Sequence, residues 1–104
     1  MLPPDAQYEE SAVAESREKV EEPPLFKVLL HNDDFTTMEF VVWVLESIFN
    51  MPEEQAIQVM LNVHLRGSGV AGIYTYEVAE TKVEKTTVLA REHEYPLLAT
   101  MEPV

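Results

Sequence analysis

The stretch Lys27-Val-Leu-Leu-His-Asn-Asp-Asp-Phe-Thr-Thr-Met-Glu-Phe-Val41 changes character twice along its length. Its first part, extended back to Leu25, is an apolar run of strand type ending at His31. Asn32-Asp33-Asp34 breaks that run with side chains that bond their own backbone and favour turns. Thr36 and Glu39 then stand at capping-box spacing, a hydroxyl at the cap and a carboxylate three residues on. The spacing predicts a helix from about Thr37 to Phe49. Its β-branched valines argue for strand, but the cap and the length of the segment decide for helix.

The remaining elements follow from this strand–turn–helix unit. Asn50-Met-Pro52-Glu-Glu is a second helix start, since proline fits a first turn and acids suit the positive helix end. That helix should reach Leu65 or Arg66. Gly67-Ser-Gly69 should end it, because glycine accepts the left-handed geometry of a helix terminus. Val70 to Thr75 reads as a second strand, Thr75 as the cap of a third helix over roughly Glu77 to His93, and Leu97 to Met101 as a last strand. The order βααβαβ predicts a two-layer α+β domain over residues 25–104. Three helices would cover one face of a three-stranded sheet, and the short connections favour an antiparallel one.

Residues 1–24 differ in kind. They hold seven acids, two bases and four prolines with few large apolar groups. Such a segment cannot bury enough surface to offset its ordering entropy and is expected to be a flexible acidic arm, with at most a marginal helix around Ala12 to Val20. The whole chain of 104 residues carries a net charge of −12 and no cysteine. The charge argues against nucleic-acid and anionic-membrane partners. The missing thiols remove disulfides, thiolate metal sites and cysteine nucleophiles. The longest apolar stretch, Phe40 to Leu45, is too short to cross a bilayer, and no basic-then-apolar leader opens the chain. A cytoplasmic monomer without cofactor or metal is expected.

Four polar residues carry the chemistry: Asn32, Asp33 and Asp34 at the strand–helix junction, and His64 on the second helix. Met60, Val63 and His64 share one face of that helix, as Met38 and Val41 share one face of the first. Should the two faces meet, the four apolar residues form a hollow with acceptors at its rim. An ammonium group has three donors and no acceptor. Asp34, Asn32 and a neutral His64 could take its three protons while the hollow takes an attached apolar side chain. The local patterns also have plainer readings. Asn-Asp-Asp before a helix is ordinary turn and cap chemistry, Met and Val at helical spacing are ordinary core, and a single histidine is commonly a structural partner. Two further classes stay open on the residues alone: a metal-dependent hydrolase using Asp33, Asp34 and His64, and a pocketless protein-interaction inhibitor of a protease.

The stretch Lys27 to Val41 resembles the signature of the ClpS adaptor family, as do Met60-Leu-Asn-Val-His64 with Gly67 behind it, Glu77-Val-Ala-Glu-Thr-Lys82, and the ending Pro96-Leu-Leu-Ala-Thr-Met-Glu102. The four matches occur in family order over about Leu25 to Glu102. The resemblance implies a non-enzymatic adaptor. It would bind the free α-amino group and bulky first residue (Leu, Phe, Tyr or Trp) of N-degron substrate proteins. It would deliver them to the N-terminal domain of a ClpA-type or ClpC-type AAA+ unfoldase. By that resemblance Asn32, Asp34 and His64 contact the amino group, with Asp33 and Thr36 on the polar rim. Met38, Val41, Met60, Val63 and Leu97 form the hydrophobic pocket, and Met38 is the gate that excludes β-branched first residues. Glu77, Glu80 and Lys82 form the unfoldase-docking surface, and the arm assists hand-over. Phe35 and Thr37 depart from the family's frequent tyrosine and proline, and Pro52 is unusual at its helix start.

Overall fold

The computed structural model describes residues 22–104. The expected mobility and helix of the arm fall outside them, apart from Glu22 to Pro24. The elements run β1 Leu25–His31, α1 Met38–Ser47, α2 Glu53–Arg66, β2 Ser68–Thr75, α3 Tyr76–Glu92 and β3 Leu98–Pro103. The sheet order is β2-β1-β3 with both pairings antiparallel, so the chain has the βααβαβ α+β architecture that its pattern predicts. Among the described residues no helix is long and apolar enough to cross a membrane.

Strand β1 is central because its residues alternate cleanly. Val28 and Leu30 are fully buried beneath the helices, while Lys27 and His31 face the open side. There Lys27 pairs with Glu102 at 3.2 Å, and His31 Nε2 shares a 2.7 Å hydrogen bond with Thr100 Oγ1. Pairing with β2 skips Ala71 between Val28 and Leu29, a bulge that bends the edge strand. The Tyr74 ring lies across Gly72, where any Cβ would collide with it. Val44 and Leu45 of α1, Ala56 of α2 and Ala79 of α3 complete the fully buried core. The alanines let their helices pack closely.

The boundaries correct the sequence reading in several places. The cap of α1 is Thr37, not Thr36. Thr37 Oγ1 accepts from Phe40 N–H at 3.1 Å, and the helix starts at Met38 and ends at Ser47 rather than Phe49. The helix stops early because Ile48 takes the C-cap position and Asn50 turns to a φ of 55°. Pro52 sits at the cap of α2, one position before its first turn. Only Gly67 is needed to end α2, at a φ of 92°, so Ser68 and Gly69 already belong to β2. Thr75 occupies the cap position of α3, but its hydroxyl makes no cap bond. Leu97 precedes β3 instead of opening it.

Candidate functional site

The loop between β1 and α1 is built by its own polar groups. Asp33 Oδ1 accepts from the N–H groups of Phe35 at 2.8 Å and Thr36 at 2.7 Å, and its Oδ2 accepts the Thr36 hydroxyl at 2.7 Å. Partial burial pushes the Asp33 carboxyl up, but these donors outweigh it and hold the group below its ordinary value. Asn32 N–H donates at 2.8 Å to the carbonyl of Gly67. The loop is thereby tied to the end of α2, three residues past His64.

Helices α1 and α2 meet beside this loop and enclose a cavity of about 230 Å³. Its polar side is lined by Asn32, Asp33, Asp34, Thr36 and His64, its apolar side by Met38, Val41, Met60 and Val63. The apolar wall is graded in depth. Val63 is 2% exposed and Val41 6%, whereas Met38 is 44% exposed. The valines form a fixed floor and Met38 a movable edge. The side chains of Asn32, Asp34 and His64 make no hydrogen bond to any other described residue, and all three are exposed. The site therefore offers uncommitted acceptors above an apolar floor, which suits a cation attached to a greasy side chain.

The structure thus gathers nine of the ten residues expected around the pocket. Leu97 is not in the lining: it is 5% exposed in the common core and faces a separate hollow with Tyr95 and Arg91. Among the described residues no three His, Asp or Glu side chains are grouped so as to hold a metal ion. Asp33, Asp34 and His64 are not grouped in that way, and all three hydrogen bonds of Asp33 are spent on its own loop. The turn chemistry that the sequence offered for Asn32-Asp33-Asp34 is what Asp33 performs, turning its carboxylate inward on Phe35 and Thr36.

On α3, Glu77 and Glu80 are exposed. The Glu80 carboxylate beside the Tyr76 phenol pushes it above its ordinary value. Lys82 departs from a free surface cation. Its Nζ donates at 2.6 Å to the carbonyl of Ile48 at the end of α1, and lies 5.7 Å from the Tyr74 ring centre and 6.0 Å from that of Phe49. A lysine at the negative end of a helix satisfies an otherwise unpaired carbonyl.

Comparison with known proteins places this geometry. Residues 21–100 match the family model described as ATP-dependent Clp protease adaptor protein ClpS. The chain is 50% identical over 99 residues to the ATP-dependent Clp protease adapter protein ClpS of Myxococcus xanthus, covering 93% of this chain and 92% of that one. It is 57% identical over 91 residues to the protein so named in Methylococcus capsulatus, covering 88% and 86%. A solved structure, Agrobacterium tumefaciens ClpS2 bound to L-phenylalaninamide, is 42% identical with a TM-score of 0.77, covering 80% of this chain and all of that one.

Proposed function

The chain belongs to the ClpS family of Clp protease adaptors, and from that premise we propose that its α1–α2 cavity captures the first residue of other proteins. The observation that carries this reading is the union of unpaired Asn32, Asp34 and His64 side chains with a buried apolar floor in one 230 Å³ space. That volume is below the range for drug-sized ligands and suits one side chain. The Agrobacterium relative was solved with L-phenylalaninamide bound. This molecule has a free amino group, a benzyl side chain and an amide in place of the next peptide bond. It therefore stands in for the start of a polypeptide. Asp34 supplies the counter-charge, Asn32 its amide oxygen and His64 a ring nitrogen. Val41, Met60 and Val63 take the side chain, and Met38 closes over it and rejects branching at Cβ.

Burying a Leu or Phe side chain contributes about 1.5–3 kcal/mol. A hydrogen bond to the ammonium adds about 1.5–3 kcal/mol. After ordering costs, roughly micromolar capture results, which permits release to the next component. Release would be to a ClpA-type or ClpC-type unfoldase, docked on α3 around Glu77 and Glu80 and assisted by the acidic segment before Leu25. No step forms or breaks a covalent bond.

A fluorescence titration tests the reading with peptides differing only in their first residue. Leu, Phe, Tyr and Trp peptides should bind, while Val-first and amine-acetylated peptides should not. Equal binding of acetylated and free peptides would remove the proposal.

A further inference from the structure

The polar side of the cavity contains two kinds of residue. Asn32 and Asp34 have side chains with no protein partner among the described residues. Asp33 and Thr36, which alternate with them along the loop, are spent on each other. Three lone pairs of the Asp33 carboxylate take donors from within the loop, at 2.7–2.8 Å. Thr36 commits both its N–H and its hydroxyl hydrogen to Asp33 and has no donor left for a ligand. A second fastening lies at the other side of Asn32, whose N–H reaches the Gly67 carbonyl at 2.8 Å. Gly67 is also the residue that ends α2, with its own N–H on the Val63 carbonyl at 3.0 Å. The two halves of the amine site, loop and helix, are thus joined through backbone at Gly67 and stiffened from within at Asp33.

We propose that Asp33 and Thr36 are positioning residues: their mutual hydrogen bonds, with the Asn32–Gly67 bridge, preset the spacing of Asn32 and Asp34 from His64. This inference rests on the capture reading above and assigns the brace a role in it. The entropy of ordering the loop is met when the domain folds, so a bound amino group does not have to meet it again. The low-lying Asp33 carboxyl agrees with this geometry, since a protonated acid would offer fewer acceptors to the turn.

The test uses the full chain and titrates a labelled Leu-first peptide, its amine-acetylated twin and a Val-first peptide. Wild type must first prefer the free amine. If it does not, the capture reading fails whatever the variants do. Thr36→Val keeps the shape of the side chain but loses the donor, and it should weaken free-amine binding about tenfold. It should also narrow the gap between free and acetylated peptides while leaving the preference for Leu over Val unchanged. Thr36→Ser restores the donor and should bind as wild type. Asp33→Ala should match or exceed Thr36→Val. The carboxyl carbon of Asp33, followed by NMR on lowering the pH, should titrate closer to its ordinary value in Thr36→Val, whether or not peptide is present. Wild-type affinity in Thr36→Val, equal damage from Thr36→Ser, loss of first-residue preference together with amine preference, or an unmoved Asp33 titration would each overturn the inference.

Discussion

Among the described residues, helix α1 borders both a larger and a smaller hollow, and the larger is the less informative. The groove between the end of α1 and α3 encloses about 470 Å³, twice the roughly 230 Å³ between α1 and α2. It is lined by Ile48, Val88 and Leu89 with Thr81, Glu84, Lys85 and Glu92 around them. Its charges point to water, and the Thr81 hydroxyl already donates to the Glu77 carbonyl at 3.0 Å. The smaller space has three polar side chains aimed at one volume and satisfied by nothing in the described chain. Convergence of unspent hydrogen-bonding groups, not size, distinguishes a recognition site from a gap left by two helices that cross.

Substitutions on the two sides should separate the hollows. The largest effect is expected from Asp34→Ala, which removes the carboxylate of the cavity that is not already committed to its own loop. Capture of a Leu-first peptide should weaken by about a hundredfold with an unchanged circular dichroism spectrum. Reversing charge in the groove with Glu84→Lys should leave the same titration unaltered. Met38→Ala should come next. Opening the half-exposed gate should bring Val-first and Ile-first peptides to within several-fold of Leu, read as a ratio of dissociation constants, about 1 kcal/mol of lost discrimination.

Gly69→Ala probes the floor from behind. An added Cβ would sit 2.9 Å from Val63 Cγ2 and 3.3 Å from the Val59 carbonyl. It should push Val63 into the cavity, weaken Phe-first and Trp-first peptides more than Leu-first ones, and cost about 1–3 kcal/mol of stability in a denaturant melt. Lys82→Met acts at the groove end. Losing the bond to the Ile48 carbonyl should lower stability by about 1 kcal/mol while peptide affinity stays constant. If that variant instead lost unfoldase binding at unchanged stability, Lys82 would belong to the docking surface and not to the α1–α3 clamp.

The smallest effect concerns acid. The folded Asp33 carboxyl lies below its ordinary value of 3.8, so its contribution to stability is complete above that pH. The contribution is lost as pH falls through the lower folded value. Asp33→Ala should therefore be less stable than wild type at neutral pH, and the difference between the two melts should shrink below about pH 4.

The order of elements was legible from periodicity, whereas the composition of the cavity needed the family resemblance to single out one of several readings of the same faces. Val28 and Leu30 alternate into the core, and Met60, Val63 and His64 fall on one helical face. The off-by-one cap was not legible. Thr36 and Thr37 carry the same hydroxyl, and only the third dimension shows that Asp33 claims the first and Phe40 N–H the second. Leu97 was misplaced for a related reason. A run of apolar residues after Pro96 does not say which one turns toward the common core and which toward a given hollow. Lys82 was assigned to the docking surface by resemblance of the Glu77 to Lys82 motif, and nothing local in the sequence points to its partner, the Ile48 carbonyl, thirty-four residues away.

The recognition loop leaves the sheet from β1, which has a hydrogen-bonded neighbour on either side, and Leu30 near its end has no solvent contact. Amide protons along that strand should therefore exchange with deuterium only in the rarest openings of the domain, while β2 and β3 breathe as edges. A grip suspended from the most persistent element would outlast fraying elsewhere, which is an asset in an adaptor of the Clp protease family.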